Sequence, residues 1–236
     1  MKFEKAALFV NSTSDTEGDF SVVLMVDDDE MLLQMLCASV VEQYPNLLVL
    51  GVVFPEQVRE IISLLYFDVF VSDINMPGLW GDKLITYVKQ ASPTTFSVAM
   101  TGCNMETAFA AGRAQPDRFF DKNRDFNALL SSFPEGLIEA KRRRERLFAR
   151  FLEGNEGGIA SLRNSHWRER AQLKLNLGFS LTEFIQSRRL VRALALLKLK
   201  PNLTWELLAI LSGYSAPHRL RKYMEDITSF VNIQKL

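Results

Sequence analysis

The sequence is poor in cysteine and has no long apolar run. It contains two cysteines, Cys37 and Cys103, in 236 residues, which does not indicate a disulfide framework and predicts free thiols in a reducing compartment. No apolar run approaches the roughly 18 residues that a membrane-spanning helix needs. The apolar run at 6–10 is too short for the core of a signal peptide. We therefore expect a cytoplasmic protein that does not associate with a membrane.

The chain also has no net charge, yet the two signs are unevenly distributed. Residues 1–135 carry 9 Lys/Arg and 19 Asp/Glu, whereas residues 136–236 carry 19 and 9. An acidic half followed by a basic half predicts two domains, of which the second faces a polyanion. The two halves could also attract each other, and the two interpretations are compatible.

The first half alternates between short apolar strands and helices. Residues 1–20 are predicted to be a flexible lead-in because 11–20 are polar. Beyond them we predict strands at 21–26, 46–54, 68–72, 95–100 and 117–120, and helices at 31–44, 56–66, 82–90, 105–113 and from about 125 onward. This alternation predicts an α/β domain over 21–135, a doubly wound (βα)5 parallel sheet with helices on both faces.

Polar side chains follow the predicted strands at their carboxyl ends. Asp27 and Asp28 end the first strand and Asp73 ends the third, so these carboxylates are expected to meet at one edge of the sheet. Mg²⁺ prefers such oxygen ligands and would offset their mutual repulsion. Thr101 follows the fourth strand and Lys122 the fifth. A hydroxyl and an ammonium group beside a cation would suit a phosphoryl group, with Asp73 attacking phosphorus.

Four segments carry a resemblance to a known family. In chain order they are VLMVDDDE at 23–30, DVFVSDINMPG at 68–78, SVAMTG at 97–102 and DRFFDK at 117–122. With these motifs, residues 21–135 resemble the receiver domain of two-component response regulators. That resemblance implies a flavodoxin-like fold and phosphorylation by a sensor histidine kinase.

The resemblance also implies a metal site and a phosphoacceptor. Asp73 would accept the phosphoryl group. Asp28 and Asp73 would be direct Mg²⁺ ligands, Asp27 would act through water, and the backbone carbonyl of Asn75 would complete the protein ligands. Each of these residues matches the family motif at its own position in this sequence.

Three further residues correspond to the switch of the family. Thr101 would be the hydroxyl that moves toward the phosphoryl group, Phe119 the aromatic side chain that rotates inward, and Lys122 the phosphoryl-binding lysine. Most receivers follow this lysine with a cis proline, but here Asn123 stands in its place. Since a cis bond before any other residue costs about 3 kcal/mol, we expect a trans peptide and a different placement of Lys122.

Residues 136–158 are predicted to extend the last receiver helix as a stiff connector. Apolar positions at helical spacing surround a basic centre, Lys141–Arg144. This basic centre is interpreted either as a solvated helix face or as a DNA contact, and the sequence favours neither.

Residues 159–236 form the predicted all-α domain. Ser180 followed by Glu183 is a capping box that predicts a long helix over 181–199. A short helix at 204–211, a turn containing Gly213 and a helix at 216–226 give a helix-turn-helix pattern.

Residues 177–224 resemble the AraC-type DNA-binding domain, on LGFSLTEFIQSRRLVRALALL at 177–197 and LTWELLAILSGYSAPHRLRKYM at 203–224. That family carries two helix-turn-helix units, and the first, sought at 159–175, matches only loosely. The Gly-x-Ser/Thr-Pro signature expected after the second recognition helix is also missing. Candidate DNA contacts are Arg168, Arg170 and Lys174 from the first unit, and His218, Arg219, Arg221 and Lys222 from the second.

The combined expectation is a response regulator that binds promoter DNA, dimerises on activation and is not a turnover enzyme. The departures in the second half motivate an alternative, a signalling adaptor whose C-terminal domain binds a protein. A phosphatase that forms an aspartyl phosphate also uses a strand-end aspartate, but it usually needs an acid two residues on, where this chain has Asn75.

Overall fold

The computed structural model describes residues 6–14, 18–77, 81–102, 112–152 and 167–232. Cys103 and most of the helix predicted at 105–113 lie outside these ranges, as do residues 153–158 of the predicted connector. Cys37 is buried as a free thiol. No helix in the described ranges is both long enough and apolar enough to cross a bilayer.

Seven strands form one sheet in the order β6-β5-β4-β2-β3-β1-β7. The five adjacent strands β2 to β6 run parallel and confirm the (βα)5 flavodoxin-like arrangement. The strands are β1 at Ala6–Val10, β2 at Ser21–Val26, β3 at Leu47–Val52, β4 at Val69–Asp73, β5 at Phe96–Thr101, β6 at Arg118–Asp121 and β7 at Val231–Asn232.

Eight helices can be given bounds within the described residues. They are α1 at Glu30–Gln43, α2 at Val58–Leu64 after a 3₁₀ turn at Pro55–Gln57, α3 at Gly81–Ala91, α4 at Phe126–Leu152, α5 at Trp167–Leu177, α6 at Leu181–Leu199, α7 at Trp205–Leu211 and α8 at Pro217–Thr228. Helices α1 and α4 cover one face of the sheet. Helices α2, α3, α6, α7 and α8 share the core on the other face.

The prediction of a flexible lead-in over 1–20 is wrong for its described part. Strand β1 pairs antiparallel with β3, from Ala7 opposite Gly51 to Val10 opposite Leu48. The side chain of Asn11 then donates to the carbonyl of Val41 at 2.8 Å. A five-residue apolar strand is stable here because it covers the edge of β3 and buries its own side chains.

The C-terminal segment is helical, as predicted, but it ends in a strand that joins the sheet. Strand β7 runs parallel to β1, with Val231 opposite Ala6. The amide of Ala6 also donates to the carbonyl of Phe230 at 2.8 Å. The apolar sides of α6 and α8 lie in the same core as β2 and β3. The basic half of the chain therefore packs directly on the acidic half.

Local signals explain where these helices begin and end. Helix α6 begins with the predicted capping box, since Ser180 Oγ accepts from the Glu183 amide and the Glu183 carboxylate accepts from the Ser180 amide. Helix α5 ends at Gly178, whose φ of 83° and close approach to the carbonyl of Ala91 leave no room for a Cβ. Gly213, with φ of 82°, makes the turn between α7 and α8.

Candidate functional site

Three carboxylates meet at the carboxyl ends of β2 and β4. Asp27 is fully buried and Asp73 is 3% exposed, whereas Asp28 is exposed. One oxygen from each lies within 4.8 Å of the others. The parallel pairing of β2 with β4 forces this meeting because it brings the carboxyl ends of both strands to the same level. The predicted acidic cluster is therefore present.

Lys122 pairs with the two buried carboxylates. Its Nζ lies 2.6 Å from Asp27 Oδ2 and 3.0 Å from Asp73 Oδ2. Burial alone would lower the pKa of Lys122, but the charges and hydrogen bonds of Asp27 and Asp73 outweigh it and raise that pKa. Burial raises the pKa of Asp27 from 3.8 to about 6, against the opposing effect of Lys122 and with a smaller contribution from Asp73. Among the described residues, Lys122 thus pairs with two of the three carboxylates of the cluster.

A hydrogen-bonded turn places Lys122 without a cis peptide. None of the described peptide bonds is cis, which confirms the trans bond expected before Asn123. Asp121 Oδ1 accepts from the Asn123 amide at 2.8 Å, and Asp125 Oδ2 accepts from the Asp121 amide at 3.0 Å. The Lys122 amide donates to the carbonyl of Thr101 at 2.8 Å. Lys122 therefore reaches both carboxylates although the proline of the family is missing.

The remaining predicted residues of this site surround the cluster. Thr101, at the end of β5, is 1% exposed. Phe119 on β6 is 40% exposed, so its ring points away from the core in this structure. Asn75 is exposed in the loop two residues beyond Asp73.

The cluster has the composition of a site for a hard divalent cation. Asp73 Oδ1 is buried and has no hydrogen-bond partner among the described residues. Such an orphaned carboxylate oxygen normally finds a donor or a metal. Since the donors are all oxygens and one lysine does not neutralise them, Asp27, Asp28 and Asp73 fit Mg²⁺.

The predicted DNA contacts lie on two helices of the basic half. His218, Arg219, Arg221 and Lys222 are all exposed on α8, and Arg168, Arg170 and Lys174 are exposed on α5. Three of them have protein partners, the first being Arg168, whose guanidinium lies 5.5 Å from the Trp167 ring centroid. The Arg221 guanidinium stacks 5.2 Å from the Trp205 ring centroid, and Lys174 pairs with Glu183 at 3.1 Å.

The basic centre of α4 is engaged within the molecule. Each of its cations has a carboxylate partner: Lys141 with Glu145 at 3.9 Å, Arg142 with Glu139 at 3.4 Å, Arg143 with Asp117 at 2.6 Å, and Arg144 with Asp68. The last two pairs join α4 to the sheet. These contacts favour a structural role over DNA binding for Arg143 and Arg144.

A buried polar cluster between the two halves was missed by the sequence analysis. Asp68, at 1% exposure, accepts from the Val22 amide at 2.8 Å and pairs with Arg144 and with Arg188 of α6. The amide of Tyr66 donates to Ser187 Oγ of α6 at 2.7 Å. A charged residue before a buried strand was the available signal, but its partners are far away in sequence.

The fold and the acidic site with its lysine define a class, the signal-receiver type of α/β domain. In agreement, residues 23–133 match the family model described as "Response regulator receiver domain". The first half of the chain is therefore the receiver domain of a two-component response regulator. A comparison with curated protein sequences finds no relative of this chain.

Solved structures are similar to this half of the chain, and the first of them, with a TM-score of 0.50, supports its fold. The signal receiver domain of an HD domain-containing protein from Pseudomonas fluorescens Pf-5 is 22% identical, with a TM-score of 0.50, and the match covers 55% of this chain and 95% of that one. A CheY-like receiver domain protein from Methanospirillum hungatei JF-1 is 22% identical, with a TM-score of 0.46 and coverages of 52% and 98%. An adenylate cyclase from Rhodopirellula baltica is 22% identical, with a TM-score of 0.47 and coverages of 54% and 94%.

Proposed function

We propose that the protein is a response regulator in which phosphorylation of Asp73 controls DNA binding by the C-terminal helices, and thereby transcription. The observation that carries the proposal is the set of buried carboxylates at the ends of β2 and β4, with Lys122 shared between Asp27 and Asp73. In the described ranges, no other basic side chain lies within ion-pair distance of these two aspartates. The two carboxylates can therefore bind a cation in addition to Lys122.

This geometry supports a direct phosphoryl transfer to Asp73. A carboxylate oxygen of Asp73 attacks the phosphorus of a phosphohistidine on the kinase, the nitrogen–phosphorus bond breaks, and an acyl phosphate forms on Asp73. Lys122 neutralises charge on the phosphoryl oxygens and holds Asp73 in place. Mg²⁺ held by Asp27, Asp28, Asp73 and the Asn75 carbonyl would supply the remaining positive charge at these oxygens.

The signal would leave the site through Thr101 and Phe119. The Thr101 hydroxyl moves toward the phosphoryl oxygens, and the vacated space admits the Phe119 ring, which is 40% exposed in this structure. Helix α4 packs on β5 and β6 and continues to Leu152, so it carries the change toward the C-terminal half. A population shift that changes dimerisation or frees α8 needs only a few kcal/mol.

DNA is the partner that the exposed cations of α8 support. His218, Arg219, Arg221 and Lys222 are all exposed on this helix, which follows the turn at Gly213. In a helix-turn-helix such a second helix enters the major groove, and its cations contact phosphates.

A gel-shift titration of genomic DNA fragments, with and without acetyl phosphate and Mg²⁺, tests this proposal. We expect sequence-selective, salt-sensitive binding that tightens with the phosphodonor in wild type and not in Asp73→Ala. Exposed Asp19 supplies the matched control, because Asp19→Ala removes a carboxylate that precedes β2, at the opposite end of this strand from Asp27, and should behave as wild type. Identical binding in all three proteins would refute phosphorylation control.

One observation favours the adaptor as a second candidate. On α7, Leu207, Ile210 and Leu211 are 45%, 69% and 37% exposed, and their spacing places them on one side of the helix. An exposed apolar strip of this kind is typical of a protein-binding surface. If Asp73 is phosphorylated but no DNA fragment is selected in either state, the adaptor becomes the better conclusion.

A further inference from the structure

A cleft of about 260 Å³ lies between α6, α8 and the turn that precedes α8. Its walls combine cations with aromatic and amide groups: Arg189, Arg219, Lys222, Tyr214, Tyr223 and Gln186. The lining residues extend from Gln186 on α6 to Tyr223 on α8. The packing of α8 against α6 therefore creates the cleft.

The charge in this cleft is of one sign. Arg189, Arg219 and Lys222 line it, and no carboxylate of the described residues does. Within the part of the chain that the structure describes, none of the three cations forms an ion pair, in contrast to the basic centre of α4. Like charges held together without a counter-charge repel one another, and an anion bound between them would relieve that repulsion.

Two buried polar atoms that line this cleft also have no hydrogen-bond partner among the described residues. Tyr214 is 5% exposed, and its hydroxyl has no hydrogen-bond partner among the described residues; the same holds for Gln186 Oε1. Burial raises the pKa of Tyr214, so at neutral pH its hydroxyl is protonated and can donate. A buried donor and a buried acceptor without partners are costly and call for a ligand that satisfies both.

We propose that this cleft binds the phosphate group of a small phosphorylated molecule. Arg189, Arg219 and Lys222 would neutralise the phosphate, and the Tyr214 hydroxyl would donate to one of its oxygens. Gln186 Oε1 would accept from a hydroxyl or amino group on the rest of the ligand. The volume is slightly below the range of roughly 300–1,000 Å³ for ordinary ligand pockets, which favours a small ligand.

The same phosphate chemistry occurs in a DNA backbone, and Arg219 and Lys222 are also candidate DNA contacts. The burial of Tyr214 favours a free ligand, because a duplex reaches the exposed ends of α8 more readily than a buried hydroxyl. The inference does not rest on phosphorylation of Asp73 and can be tested without it.

The test is isothermal titration calorimetry of the full chain with inorganic phosphate at low ionic strength. We expect saturable binding that Arg189→Gln weakens at least about tenfold, the loss typical of a hydrogen bond to a charged group. Lys198→Gln removes a cation from the exposed side of the same helix and should bind as wild type. Tyr214→Phe should weaken binding severalfold while leaving Tm unlowered, because the Tyr214 hydroxyl has no hydrogen-bond partner to lose within the described ranges.

The outcomes separate the sources of phosphate and the two proposals. No saturable binding up to about 10 mM, or equal binding by Arg189→Gln and Lys198→Gln, would overturn the site. If a short DNA duplex cannot displace the bound phosphate, the proposal of a small ligand is supported. If the duplex displaces the phosphate, that proposal is overturned, and the cleft binds the DNA backbone instead. Phosphate binding that depends on Arg189 in a protein without any DNA affinity would defeat the proposed function and leave the cleft intact.

Discussion

The parallel strands of the sheet carry aspartates at both ends, and the two sets are neutralised differently. At the amino ends, Asp68 precedes β4 and Asp117 precedes β6; each accepts a backbone amide of the neighbouring strand and pairs with an arginine of α4. At the carboxyl ends, Asp27 and Asp73 share Lys122. The first set is satisfied by the protein itself, whereas in the second set Asp73 Oδ1 has no hydrogen-bond partner in the part of the chain that the structure describes.

This difference separates stability from function along one strand. Strand β4 begins after Asp68 and ends at Asp73, so two carboxylates with opposite roles stand five positions apart. A carboxylate that is fully paired contributes to the fold and has little capacity left for a ligand. A carboxylate that the fold leaves under-neutralised is available for a cation and for chemistry. Disrupting either end should therefore affect only one of the two properties.

The largest effect is expected at the amino end, from Asp68→Asn. The amide can still accept from the Val22 amide, but Arg144 and Arg188 lose their shared carboxylate while they remain partly buried. Breaking such a buried pair costs about 3 kcal/mol of unfolding free energy. Urea denaturation measures this loss, and phosphorylation by acetyl phosphate should persist under native conditions.

Glu135→Gln provides the matched control for that measurement. Glu135 pairs with Arg118, but both side chains are about half exposed, at 53% and 47%. Such surface pairs contribute at most about 1 kcal/mol. If Asp68→Asn is no less stable than Glu135→Gln, the amino-end aspartates do not hold the two halves together.

A smaller effect is expected at the carboxyl end, from added Mg²⁺. An ion that binds only the folded state stabilises it by about 1.4 kcal/mol at ten times its Kd. Thermal denaturation of wild type should therefore shift upward with Mg²⁺, and Asp28→Asn or Asp73→Asn should reduce the shift. Asp117→Asn leaves the acidic cluster intact, so Mg²⁺ should shift its thermal denaturation as much as that of wild type. A shift that is equal in all four proteins would show that Mg²⁺ acts elsewhere.

The contrast between the two ends also explains what could be predicted from sequence. Asp27, Asp73 and Lys122 were found because each stands after a predicted strand, so the parallel topology alone brings them together. The long helix after Ser180 was found because its capping box is local. Both predictions needed only a short stretch of chain and the general rules for parallel sheets.

The contacts that were missed depend on distant parts of the chain. Asp68 is paired by Arg144 and Arg188, and no spacing rule connects these three residues. Strand β7 has only two residues and exists because β1 offers it an edge, while β1 itself is fixed by pairing with β3. Neither strand carries enough local preference to be predicted without its partner.

The smallest effect concerns Asp117, the more exposed aspartate of the amino end. Partial burial acts to raise its pKa, but hydrogen bonds from Arg143 and from the Ser97 amide outweigh it and lower the pKa below 3.8. A carboxyl whose pKa is lower in the folded state stabilises the protein above its unfolded pKa and loses this contribution as the pH falls through the folded one. Asp117→Asn should therefore reduce stability by about 1 kcal/mol at pH 7 and by less near pH 3, as measured by urea denaturation at both pH values. A deficit that stays constant between the two pH values would assign the loss to packing instead of charge, and would limit the charge-based contrast between the two ends to Asp68.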